Sequence, residues 1–214
     1  MNHDVIEIEN LCKKFKDKTV INNVNVSFER GKIHGIIGRN GSGKTVLFKC
    51  ICGFVPITSG RIKVQDQLIG KEIDIPENIG IIIESPGFLP NYSGFHNLKF
   101  LAELNKKIGR EKIRETMRFV GLDPDDKKHV GKYSMGMRQR LGLAQAIMEE
   151  PDILVLDEPM NGLDKQGVRE IRTCLLQLKD QEKTILLASH NAEDIDVLCD
   201  TVCEMDGGVL NRIV

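Results

Sequence analysis

The chain has 214 residues, an apolar share of 41% and a formal net charge of −1. That is enough for one sizeable domain, or for a core with an inserted subdomain, and the near-neutral balance excludes a broad basic face for nucleic acid. No apolar run approaches the ~20 residues that cross a bilayer, and Met1-Asn2-His3-Asp4 lacks the basic cap and apolar core of a signal peptide, so a cytoplasmic protein is expected.

Residues 4–30 alternate well enough for two strands, 5–8 and 24–28. Between them runs a polar stretch that carries Phe15 among lysines. An aromatic there can stack on a nucleotide base, or it can cap the core. Residues 32–37 are short and rich in β-branched side chains, which predicts a buried strand. They lead into Gly38-Arg39-Asn40-Gly41-Ser42-Gly43-Lys44-Thr45, which fits G-x-x-x-x-G-K-[ST], the phosphate-binding loop. The spacing then predicts a helix over 46–52, stopped by Gly53. Strand before and helix after are the context this loop requires. Its glycines let successive N–H groups turn to one point, and the helix N-terminus adds its dipole there. Lys44 brings a full positive charge to the β- and γ-phosphates, and Thr45 offers a hydroxyl to Mg2+.

Six cysteines are present: Cys12, Cys50, Cys52, Cys174, Cys199 and Cys203. Cys50 and Cys52 are two apart on a helix, so their side chains diverge. No His or second Cys pair stands at zinc spacing beside them, and buried reduced thiols are expected.

Residues 61–64 and 79–83 read as further strands. The second is a continuous apolar run, as for a strand covered on both faces, and Glu84-Ser85-Pro86-Gly87 breaks it. From about 93 to 150 the spacing turns helical. Leu98, Leu101, Ala102 and Leu104 are expected on one face, and Ile113, Met117 and Val120 on a second helix. Gly121 and Pro124 separate it from a third, over 134–149. The mixed charges between 110 and 129 read as solvated helix surface. This block looks like a helical insertion in an α/β chain.

The α/β pattern returns at 151. Residues 153–156 form a buried strand that ends in Asp157-Glu158-Pro159. A carboxylate at the carboxyl end of a central strand, beside a phosphate loop, is placed to hold Mg2+, which assigns Asp157. Glu158, the next residue, points to another side and is the candidate general base for attack of water on the γ-phosphate. A helix over 165–181 follows, with Asp164 as N-cap. Strand 184–188 ends in Ser189-His190, which gives His190 a polar role near the γ-phosphate. A helix starts at Asn191, and two β pieces around Val202 and Val209 flank Asp206-Gly207-Gly208. His3, His34, His96 and His129 have no such placement and receive no function.

The order of these motifs resembles the ATP-binding subunit of an ABC transporter over essentially the whole chain. Phe15 matches the aromatic A-loop, 38–45 Walker A, and 153–158 Walker B with its catalytic Glu. Tyr133-Ser134-Met135-Gly136-Met137-Arg138-Gln139-Arg140 is similar to the family signature, Asn161-Gly162-Leu163-Asp164 to the D-loop, and Ser189-His190 to the H-loop. The resemblance implies a P-loop NTPase (RecA-like) α/β core with an N-terminal antiparallel β-subdomain and an inserted α-helical subdomain. It implies one domain over 1–214, in which 1–84 and 151–214 form the core and 85–150 the helical signature part. ATP and Mg2+ are the implied cofactors. Phe15 then stacks adenine, and His190 contacts the γ-phosphate. Ser134 caps a helix N-terminus and Gly136 permits close approach, which makes a second anion site that faces the phosphate held by another subunit. A homodimer bound peripherally to a membrane permease, with no nucleic-acid partner, is the implied assembly, and export is the implied direction.

Two departures stand out. Met135 and Met137 replace the usual glycine and glutamine of the signature. Glu84 replaces the usual Gln of the Q-loop, as in the transporters that protect bacteria against bacitracin and lantibiotic peptides. Ionised Glu only accepts, so Glu84 becomes a third carboxylate near Mg2+: it would tighten the metal yet repel the γ-phosphate. A soluble ABC-type ATPase acting as a switch is the alternative. A small GTPase is set aside, because Asn105-Lys106-Lys107-Ile108 lacks the Asp of a guanine reader.

Overall fold

The computed structural model describes residues 4–84 and 87–214, so the break expected at Ser85-Pro86 lies outside the described residues, as does His3. β1 (Asp4–Phe15) and β2 (Lys18–Glu29) form one long antiparallel hairpin, not two short strands around a loop. The polar stretch stays in the sheet because Leu11, Ile21 and Val24 still turn inward, while Lys14, Lys16, Lys18 and the asparagines face water and the buried Lys13 donates its Nζ to the Pro56 carbonyl at 2.6 Å. Register shifts through the hairpin, with Asn10 and Asn23 at φ 48° and 49°, absorb the broken alternation. Phe15 therefore ends a strand. β4 (Ser59–Val64) and β5 (Gln67–Leu68) complete a four-stranded antiparallel sheet of order β2-β1-β4-β5.

The second sheet is built from β3 (Ile33–Ile37), β6 (Ile79–Ile82), β7 (Ile153–Asp157), β8 (Thr184–Ala188), β9 (Thr201–Asp206) and β10 (Val209–Arg212). Its order is β10-β9-β3-β8-β7-β6, parallel except for the β9–β10 hairpin. The inner strands are continuous apolar runs because both faces are covered. Leu154 and Leu156 of β7, with Ile185 and Leu187 of β8, pack into a helical core. Ile153 and Val155, with Leu186 and Ala188, turn the other way, toward the hairpin and α1 (Lys44–Ile51).

The helical side holds α2 (Gly94–Asn105), α3 (Arg110–Phe119), α4 (Met135–Ile147) and α5 (Lys165–Asp180), with α6 (Ala192–Leu198) near the end of the chain. On α2, Leu98 and Ala102 are buried and Leu101 half-buried, but Leu104 is 78% exposed. Six residues past Leu98 falls on the far side of a 3.6-residue helix, so Leu104 leaves the expected face. Asp164 caps α5 as expected, accepting from the Gly167 N–H at 2.7 Å. All six cysteines are free thiols, and four are buried, while Cys12 and Cys199 are only partly covered. Burial pushes the Cys50 and Cys52 thiols up to about 11 and about 12.

His34 has a structural place. Its Nε2 lies 2.9 Å from the Glu29 carbonyl, which can only accept, so that nitrogen carries the proton. Nδ1 then accepts from the Thr201 hydroxyl at 2.7 Å. This arrangement suits the neutral ring, and burial holds His34 below its usual 6.5. Below that value the unfolded imidazole takes a proton that the folded one resists, so stability present above pH 6.5 is lost as pH falls through it. We expect the thermal midpoint to drop on acidification across this range, and the drop to shrink in a His34→Gln protein scanned in the same buffers.

Candidate active site

β3 lies inside the parallel sheet, between β8 and β9, so the loop after it emerges at the carboxyl edge where such sheets bind ligands. Gly38, Gly41 and Gly43 have φ of 145°, 80° and 117°. At Gly38 a Cβ would stand 2.2 Å from the Met205 carbonyl oxygen, and at Gly43 it would stand 2.7 Å from Met205 Cε. The loop thus closes against β9 at Gly38 and Gly43 with no room for side chains there, while Gly41 faces open space. Lys44 opens α1 with its ammonium folded back, donating to the carbonyls of Gly38 at 2.6 Å and Arg39 at 3.3 Å. Ser42 Oγ is buried with no partner among the described residues. Such an orphan costs about 1–3 kcal/mol, and an oxyanion drawn into the loop would satisfy it.

Asp157 ends β7, and its Oδ2 accepts from the Thr45 hydroxyl at 2.6 Å. Two hard oxygens converge there below the loop. Among the described residues no group of three or more His, Cys, Asp or Glu is placed to hold a metal ion by itself. One or two carboxylates completed by phosphate oxygens is the set that suits Mg2+, so the residues fit that ion.

Glu158 adopts φ 52°, a left-handed turn directly after Asp157. Its N–H donates to the Ala188 carbonyl at 3.0 Å, and its own carbonyl accepts from Gln139 Nε2 at 3.1 Å. Its carboxylate accepts from His190 Nδ1 at 2.8 Å. The backbone is pinned on both sides, and the carboxylate is oriented by an imidazole.

Asn40, Gly41, Gly43, Lys44, Thr45, Glu84, Asp157 and Glu158 line one cavity of about 400 Å³. His190 reaches it through Glu158. Gly38, Arg39 and Ser42 do not line it. Phe15 stands apart at the end of β1, 45% exposed, with Lys13 Nζ 4.5 Å from its ring centroid. Ser134 caps α4, accepting from the Met137 N–H at 3.1 Å, and its exposed position does not line this cavity. Gly136 is packed near Leu163. Met135 is accommodated by another glycine: a Cβ at Gly162 would stand 2.4 Å from Met135 Sδ.

Sequence reasoning gave no site role to three residues, two of them quoted only within the signature and the D-loop. Gln139 and Asn161 line the cavity and hydrogen-bond the Glu158 carbonyl. Lys49 Nζ pairs with Glu84 Oε1 at 2.6 Å. The available signals were motif membership for Gln139 and Asn161 and, for Lys49, a place four residues after Thr45 and so on the same helix face.

A family model described as ABC transporter matches residues 21–161. The uncharacterized ABC transporter ATP-binding protein YybJ of Bacillus subtilis (strain 168) is 44% identical, over 96% of this chain and 94% of that one. The bacitracin transport ATP-binding protein BcrA of Enterococcus faecalis is 39% identical over 96% of this chain, but over 68% of its own greater length. The lantibiotic transport ATP-binding protein SrtF of Streptococcus pyogenes is 35% identical, over 92% and 85% of the two chains. Among solved structures, the dimeric bacterial ABC transporter cassette MJ0796 superposes with a TM-score of 0.86 at 21% identity, covering 97% of each chain. The protein cbiO1 of Clostridium perfringens, part of the transporter complex cbiONQ, gives 0.84 at 27%, covering 98% and 88%.

Proposed function

We propose, on the premise that this chain belongs to the ABC transporter family as an ATP-binding and ATP-hydrolysing subunit, that it powers export of a peptide antibiotic or a similar hydrophobic compound through a separate membrane permease. The bacitracin and lantibiotic transport functions named for its relatives support that substrate class. The observation that carries the reading is the Thr45–Asp157 contact at 2.6 Å with the His190-oriented Glu158 beside it.

In this reading residues 1–214 act as one ABC ATPase domain, with the helical part over 85–150. Lys44 and the loop N–H groups hold the phosphates, and the Ser42 hydroxyl gains an oxygen partner. Mg2+ neutralises developing charge on the transferred phosphoryl group when bound. Thr45 and Asp157 would hold it, and Glu84, which lines the same cavity, would be a third oxygen donor. Glu158 takes a proton from the attacking water, and His190 orients Glu158 and faces the γ-phosphate. The exposed ring of Phe15 stacks adenine. Ser134 and Gly136 do not line the cavity of their own loop, although Met135 between them does, and in this reading they act on the phosphate held by a second copy. A dimeric relative of the same fold supports that homodimer.

Among the described residues no helix is long and apolar enough to cross a membrane, so attachment at the inner face of the cell membrane would run through the permease. The test is purification of the tagged chain from its native membranes in mild detergent. A polytopic membrane protein is expected to co-purify, and deletion of the chain is expected to raise sensitivity to a peptide antibiotic. Recovery from the soluble fraction without such a partner would favour an ATPase switch that does no transport.

A further inference from the structure

Glu84 stands on the partition between two cavities. It lines the one that holds Thr45 and Asp157. It also lines a larger groove of about 880 Å³ along β6, which is an edge strand, and Lys49 is on that side only. The Glu84 carboxylate is turned to the groove, where it accepts from Lys49 Nζ at 2.6 Å. Lys49 lies about one helical turn beyond Thr45, so the cation and the metal-facing hydroxyl share one face of α1. The Lys49 side chain is 28% exposed and that of Glu84 65%. The cation is thus the seated partner, and the carboxylate is free to leave it.

We propose that Lys49 is a positioning residue that holds Glu84 back from the metal site, so that Lys49 and the divalent cation compete for one carboxylate. When the cation takes Glu84, the groove loses an ion pair from its wall. The inference rests on Glu84 being within reach of the metal. An exposed pair is weak, which suits a contact that must be given up on each binding event.

The test uses Mn2+ as a spectroscopic stand-in for Mg2+, titrated by electron paramagnetic resonance into protein saturated with ADP, so that no turnover enters the reading. Lys49→Met is expected to tighten Mn2+ by about two- to five-fold. Lys49→Arg, which keeps the ion pair, is expected to stay at the wild-type value. In a Glu84→Gln background Lys49→Met is expected to change nothing. Equal tightening in both backgrounds would reduce Lys49 to a distant repelling charge, and no tightening in the wild-type background would leave it no role at all. Either result overturns the proposal, as does Lys49→Arg behaving like Lys49→Met. Glu84→Gln binding Mn2+ like the wild type would overturn it by removing Glu84 from the metal set. ADP affinity, measured in the same proteins without Mn2+, reports separately on the nucleotide site itself.

Discussion

Replacement of Glu158 by Gln is expected to lower ATP turnover by about 10²–10⁴-fold while ATP still binds. The substitution keeps the shape of the side chain. The amide oxygen can still accept from His190 Nδ1, which now meets the carboxylate at 2.8 Å. The turned backbone at φ 52° and its contact to Ala188 do not depend on the side-chain charge. What disappears is the capacity to take a proton from water. The phosphate loop, Thr45 and Asp157 are untouched, so the grip on nucleotide persists. Phosphate release under saturating ATP and Mg2+, set beside equilibrium binding of labelled ATP, separates the two effects. Wild-type turnover in the Glu158→Gln protein would take the role of base away from this residue.

The parts of the molecule that were legible in the sequence are those whose physics is local. The phosphate loop was readable because glycine dihedrals and a Lys-Thr pair must fall at fixed spacing. Strands β7 and β8 were readable because burial on both faces leaves an unbroken apolar run. The middle of the β1–β2 hairpin was not, because its outer face is polar and its register shifts at Asn10 and Asn23 destroy the alternation. Leu104 misled for a related reason: an apolar residue near the end of a helical pattern was counted on a face that the 3.6-residue period does not give it. The Lys49–Glu84 pair joins residues 35 apart across two elements, and no local pattern reports it. The same holds for Met135, whose fit depends on the bare Cα of Gly162 in another loop.

Removal of the Lys44 ammonium should have the other large effect, and a different one. Lys44→Ala is expected to lower kcat by about 10²–10³-fold, the cost of losing one preorganised donor aimed at developing charge. It should also weaken ATP binding by about tenfold or more, since hydrogen bonds to charged groups contribute about 1.5–3 kcal/mol. In the structure Lys44 is only 7% exposed, and its ammonium is satisfied by two loop carbonyls, those of Gly38 and Arg39. It is therefore poised inside the loop, and triphosphate has to draw it away from weaker neutral acceptors. Lys44→Arg is not expected to rescue activity. The planar fork of a guanidinium is larger than the ammonium that now sits 2.6 Å from a carbonyl, and the loop is already closed on β9 at Gly38. Circular dichroism and the thermal midpoint of the Lys44→Ala protein check that the loop's loss of two internal hydrogen bonds has not unfolded α1. Set against Glu158→Gln, which keeps ATP and loses chemistry, Lys44→Ala should lose both together. A Lys44→Ala protein that bound ATP as the wild type does would mean that the phosphates rest somewhere other than the glycine loop, and the assignment of Thr45 and Asp157 to the metal would fall with it.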